Sequence, residues 1–120
     1  YIDTPDYVIV LDESMFSAVN VLEGLKSEGK LLINTRGKSS FYRKKYGCRN
    51  VYTIDATGLS LSITGREIPN IALLGSFVRI SGLFDLERLR EAIKIEIGLS
   101  DEALDLGMKA AMECYREVIL

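Results

Sequence analysis

Few residues of this chain could do chemistry, and they are of few kinds. Histidine is absent, which removes the commonest metal ligand and the commonest general base at neutral pH. The two cysteines, Cys48 and Cys114, stand far apart in unrelated contexts, so no disulfide framework is expected and a reducing, intracellular compartment is favoured. Any reaction would have to use carboxylates, lysines or a borrowed cofactor. The candidate contacts for a ligand or partner are Asp55, Thr57 and Gly58, in the turn Asp55-Ala56-Thr57-Gly58, and Asn70, just after Pro69. The turn follows a strand-like run, Val51 to Ile54, and α/β sheets usually bind ligands at the carboxyl ends of their strands. It holds no nucleophile–base pair, no metal-ligand cluster and no complete glycine fingerprint. Asn70 opens a helix, where backbone amides and a side-chain amide can hold a neighbouring loop or an anion; its expected role is structural.

The second candidate is a charge cluster. Between Arg36 and Arg49 the chain reads RGKSSFYRKKYGCR, with six basic residues and no acid. Arg36, Arg43, Lys44 and Lys45 are its candidate anion-docking residues. Two readings stand open: a solvated connector or short exposed helix, or a patch for a nucleotide phosphate or an acidic partner surface. Phe41, Tyr42 and Tyr46 are the expected anchors of the segment to the body of the domain.

The elements that must position these groups follow from hydrophobic patterning. Asp6 to Leu11 and Lys30 to Asn34 are apolar runs of the kind covered on both faces of a parallel sheet. Between them Phe16, Val19, Leu22 and Leu25 recur at three-residue steps, behind Asp12 or Ser14 as a cap and before Gly29, which predicts a right-handed strand–helix–strand unit. After the Val51 to Ile54 strand, Thr57 is the expected cap of a helix over Leu59 to Thr64 that Gly65 stops. A second helix restarts at Ile68-Pro69-Asn70, with proline at a tolerated early position. Its apolar positions, Ile71, Leu73, Leu74, Phe77, Val78 and Ile80, leave little of it to face water, so it is either central or covered by another chain. Gly75 and Ser76 on it are small enough for another backbone to pass close by. Asp85 caps the next helix, with Leu86, Leu89, Ile93 and Ile97 inward, and Gly98 closes it. Ser100-Asp101-Glu102 opens the last helix, acids leading as the dipole prefers.

Length and composition bound the rest. A chain of 120 residues suits one α/β domain, residues 1–120, with one core. Fifteen basic against seventeen acidic residues leave a net charge of −2, with no mandate for nucleic acid or an anionic membrane. No segment approaches the roughly 20 continuous apolar residues of a membrane span, and Tyr1 to Asp6 lacks the basic start and apolar core of a signal peptide. The expected architecture is a three-layer, mostly parallel sheet with flanking helices. Three short strands are few for so much helix, and a buried-type strand stands near the chain start. The chain is therefore expected to be the second half of a larger Rossmann-like domain.

The succession PDYVIVLDESMF, VNVLEGLKSEGKLLINT, VYTIDATGLSLSITG, IPNIALLGSFVRISGLF and EALDLGMKAAMECYREV resembles the gamma subunit of the 2-oxoacid:ferredoxin oxidoreductases. The most specific pieces are the strand ending in Leu11-Asp12, the helix end Leu22-Glu23-Gly24-Leu25-Lys26 with Gly29, the Asp55-Ala56-Thr57 turn, and Asn70 followed by Leu74-Gly75. The resemblance implies a non-catalytic, cytoplasmic subunit or domain of an enzyme that decarboxylates a 2-oxoacid to its acyl-coenzyme A and passes electrons to ferredoxin. It further implies that thiamine diphosphate, magnesium and the iron–sulfur clusters belong to alpha, beta and delta partners, with coenzyme A as co-substrate. The family's glycine-rich first loop would fall before Tyr1, and the Arg36 to Arg49 run is more basic than the family pattern. Two alternatives are a stand-alone module that holds a phosphate ligand with the Asp55 to Gly58 turn and the basic run, and a structural domain that dimerises through the broad apolar helix of Ile71 to Ile80.

Overall fold

The computed structural model describes residues 7–12, 29–46 and 49–120, without the Tyr46 side chain. The expected helix through Phe16 and Leu25, the cap Ser14, Cys48 and the anchoring role of Tyr46 lie outside the described residues. Three strands, β1 (Tyr7–Val10), β2 (Lys30–Asn34) and β3 (Asn50–Ile54), form a parallel sheet in the order β1-β2-β3. Val8 pairs with Leu31 and Leu31 with Val51; Ile9 pairs with Leu32 and Leu32 with Tyr52. Because side chains alternate along a strand, this register sorts the apolar residues onto two faces, and both are covered.

Helix α1 (Ser39–Tyr46) covers one face, setting Tyr42 on Val10, Leu31, Ile33 and Val51. The opposite face carries α2 (Ala56–Thr64), α3 (Pro69–Ser81) and α5 (Asp101–Glu117), whose Ala56, Leu73, Ala110 and Cys114 pack on Leu32 and Ile54. Helix α4 (Leu86–Ile97) lies outside them, with Leu89 and Ile93 on Val78, Leu104 and Ala111. The fold is thus α/β and layered as expected. Helix α3 joins both helical clusters, Ala72 and Leu73 turned to one and Val78 to the other, which is why its sequence has almost no polar face. It is central to this chain, and its burial needs no second copy.

Several local expectations hold. Gly65 ends α2 in the left-handed region, its amide donating to the Leu61 carbonyl, a conformation that costs glycine little. Pro69 starts α3, and Asp85 and Ser100 cap α4 and α5 through Arg88 and Ala103 amides. Lys30 Nζ donates to the Ile80 carbonyl at 3.0 Å, a cation at the negative end of α3. Three expectations are corrected. Helix α2 begins a turn earlier than Leu59, so Asp55 is its cap and Thr57 lies inside the first turn. Ile97 is exposed, because Leu99 from the connection to α5 closes that end of the α4 cluster instead. Phe41 is 55% exposed rather than an anchor; on so short a helix only one side meets the sheet, and Tyr42, about 100° further round, occupies it.

Candidate functional site at the carboxyl ends of the strands

The carboxyl ends of β1, β2 and β3 meet at one residue, Asn34. Its Nδ2 donates to the Leu11 carbonyl at 3.1 Å and to Thr57 Oγ1 at 2.9 Å. Its Oδ1 accepts the Ala56 amide at 2.8 Å and, more weakly, the Thr57 amide at 3.4 Å. Only this orientation of the side-chain amide faces donors with acceptor and acceptors with donor. One side chain therefore ties the end of β1 to the start of α2 across β2.

Asp55 completes the junction. One carboxylate oxygen accepts the Gly58 amide at 2.9 Å, and the Asp55 carbonyl accepts the Leu59 amide at 3.0 Å. The Ala56, Thr57 and Gly58 amides, which a helix start leaves without intrahelical partners, are thereby engaged by the side chains of Asn34 and Asp55. A side chain at Gly58 would press on the Asp55 carboxylate, which would have to shift to keep this cap. The other Asp55 oxygen stands 3.5 Å from Arg36 Nε, with the Arg36 side chain 88% exposed. The turn thus presents an aspartate–arginine pair, and Thr57 Oγ1, which accepts from Asn34, still has its own proton to donate.

The loop from β2 to α1 is held by Thr35. Its amide donates to the Ile54 carbonyl at 3.0 Å, its hydroxyl shares a proton with the Tyr42 hydroxyl at 2.9 Å, and Gly37 donates to that same oxygen. Two open depressions flank this loop. One, of about 440 Å³, runs from Thr53 and Asp55 past Arg36 and Lys38 to Ser39 and Ser40 at the start of α1. The other, of about 450 Å³, lies between Leu11, Asp12, Asn34, Thr57 and Pro69. Arg36 and Asp55 belong to both walls.

The structure thus brings together Arg36, Asp55, Thr57 and Gly58 and leaves other candidates apart. Asn70 is exposed and forms no part of either wall, although its neighbour Pro69 does. Arg43 is turned to the sheet edge, donating to the Val51 carbonyl at 3.1 Å, while Lys44 and Lys45 lie exposed on α1. Reasoning from sequence missed Asn34 and Thr35, whose signal was two polar residues closing an apolar strand. Cys114 is buried, and desolvation, aided by Glu113, Asp55 and Glu117, pushes its thiol from 9.0 up to about 12; it is a core thiol and no nucleophile. Among the described residues no group of three or more histidine, cysteine or acidic side chains could hold a metal ion, and no helix is long and apolar enough to cross a membrane.

With this geometry the chain is similar to known proteins along nearly its whole length. The crystal structure of pyruvate oxidoreductase subunit PORC from Thermotoga maritima superposes with a TM-score of 0.83 at 35% identity, covering 98% of this chain and 66% of that one. Pyruvate synthase subunit PorC of the same organism is 36% identical over 120 residues, 98% of this chain and 62% of its own length. The pyruvate/ketoisovalerate oxidoreductases common subunit gamma of Pyrococcus furiosus is 38% identical over 115 residues, 94% of this chain and 61% of its own. The chain therefore spans less than two thirds of these relatives. The profile described as pyruvate ferredoxin/flavodoxin oxidoreductase matches residues 1–117, and the chain belongs to that family.

Proposed function

We propose that this chain is a gamma-type subunit or domain of a 2-oxoacid:ferredoxin oxidoreductase and takes no covalent part in the reaction. The observation that carries this reading is the superposition on PORC over 98% of the chain at 35% identity. In it, residues 1–120 are the second half of a larger Rossmann-like domain whose glycine-rich first half lies outside this sequence; the chain covers 62% of PorC, which leaves room for such a half. Alpha, beta and delta partners carry thiamine diphosphate, magnesium and iron–sulfur clusters. When bound there, those groups decarboxylate the 2-oxoacid and carry electrons towards ferredoxin, in the cytoplasm. This chain's own residues hold the strand ends rigid around Asn34 and offer Arg36 to the anionic part of a ligand such as coenzyme A, with Asp55, Thr57, Gly58 and Asn70 as the further candidate contacts.

Reconstitution tests the reading. The purified chain with thiamine diphosphate, magnesium, coenzyme A and pyruvate is expected to be inactive, and activity is expected once alpha, beta and delta subunits and ferredoxin are added. Turnover by the chain alone would overturn its non-catalytic role, and failure to co-assemble would overturn the subunit reading. For the ligand contact, Arg36→Gln in the reconstituted enzyme should raise the coenzyme A concentration needed for half-saturation at low salt and matter less at high salt, because exposed charges are screened. Identical titrations remove Arg36 from the contact.

A further inference from the structure

The basic run divides into two parts that face different ways. Arg36 and Lys38 line the concave side of the strand-end loop. Beyond them, α1 presents a convex outer face. Phe41 is 55% exposed on it, and Lys44 and Lys45 stand three and four residues after Phe41, the spacing that puts side chains on one side of a helix; both lysines are exposed. The aromatic ring is held in place: it meets the Tyr42 ring edge-on at 5.0 Å, and Lys45 Nζ lies 5.5 Å from its centroid. The helix beneath is itself anchored, by buried Tyr42 bonded to Thr35 and by Arg43 bonded to the Val51 carbonyl. An exposed aromatic held in place beside cations is how protein interfaces place an anchor inside a charged rim.

We propose that this outer face of α1 docks an acidic surface of a neighbouring subunit, one with an apolar recess for Phe41; the proposal rests on the gamma-subunit reading. Charge selects the occupant. Six cations and no acid fall between residues 36 and 49 of a chain whose acids outnumber its bases seventeen to fifteen, so the complementary surface is negative. Eight residues make a helix only about 12 Å long, which spans little of the roughly 34 Å turn of a duplex. The two lysines beside the ring also fall short of the roughly four to eight basic residues of a membrane-binding cluster.

The test is assembly of the full chain with its alpha, beta and delta subunits, measured by calorimetry or sedimentation at about 50 and 300 mM salt. Lys44→Gln and Phe41→Ala replace exposed side chains and should leave the fold intact, read as an unchanged circular dichroism spectrum and melting temperature. Each variant is expected to weaken assembly at low salt by about tenfold or more, with a smaller effect of salt in Lys44→Gln. Carbodiimide, which joins amines to carboxylates with no spacer, should link Lys44 or Lys45 to an aspartate or glutamate of a partner subunit. Wild-type assembly that both variants leave unchanged, with no such cross-link, overturns the proposal while sparing the subunit reading. Cross-links only between copies of this chain, or equal variant sensitivity towards a duplex oligonucleotide, overturn it in favour of self-association or nucleic acid. Failure of the wild-type chain to assemble overturns both readings.

Discussion

The contact between α3 and α5 and the junction at the strand ends are built on opposite terms. In the first, two helices touch backbone to backbone. A side chain on Gly75 would collide with the Ala111 carbonyl, and buried Ser76 donates its hydroxyl to the Cys114 carbonyl at 2.7 Å. Apolar Leu73, Val78, Leu104 and Ala110 fill the surroundings. At the strand ends the ties are hydrogen bonds through side chains of buried Thr35 and of Asn34 and Asp55, which are partly open to water, with exposed Arg36 at the rim. A dry contact tolerates no added volume, because interiors are packed as densely as crystals. A wet junction tolerates loss at its rim but not at its hub. Stability and the proposed ligand contact therefore reside in different residues, and each can be changed separately.

Gly75→Ala puts that division to its hardest test. Alanine favours a helix over glycine by about 1 kcal/mol, yet its methyl has to displace the α5 backbone, and overpacking of this kind costs about 3 kcal/mol or more. Chemical denaturation should show that loss; a neutral variant would mean the two helices are free to slide apart. Asn34→Ala attacks the other region at its hub, leaving the Leu11 carbonyl and the Ala56 amide without their partner. About 2 kcal/mol should be lost, chiefly at the partly buried Ala56 amide, since an orphaned group there carries a penalty of that order, and hydrogen exchange should quicken first at the start of α2.

Cys114 sharpens the contrast by pH. Its thiol stays protonated in the folded chain up to about 12, against 9.0 as its ordinary value. Folding therefore gains from the protonated thiol below pH 9, and the gain fades between about 9 and 12, by on the order of 1 kcal/mol per pH unit. The difference in stability between wild type and Cys114→Ala, followed from pH 8 upward, should move against wild type, and at pH 8 alkylation should require unfolding. Rapid native alkylation would show the contact to be less dry than described. Ser76→Ala should lose about 1 kcal/mol, modest because the Cys114 carbonyl still accepts the Val118 amide. The smallest effect belongs to Arg36→Gln, within about 0.5 kcal/mol for folding, as expected of an exposed ion pair. A larger change would make Arg36 part of the fold rather than of the rim.

Much of this was legible in the residues. The apolar runs before Leu11, Asn34 and Asp55 marked a parallel sheet, since strands buried on both faces carry no alternation. Caps and stops at Gly65, Pro69, Asp85, Gly98 and Ser100 were readable because they depend on local backbone geometry, which neighbouring residues determine. The closeness required at Gly75 and Ser76 also showed, as small residues on an otherwise bulky stripe. Three-dimensional packing decided the remainder. That Phe41 points to water and Tyr42 inward depends on which side of α1 meets the sheet. That Leu99 rather than Ile97 closes the α4 cluster depends on where the connection turns. The junction itself was hidden for the same reason. Asn34 and Asp55 are distant in sequence, and only the pairing of β2 with β3 in their observed register sets Asn34 beside the first turn of α2. Sequence determines what is local, namely the elements, their ends and their apolar faces; the register between strands and the rotation of each helix on the sheet are set by long-range packing, and they alone decide which polar groups meet.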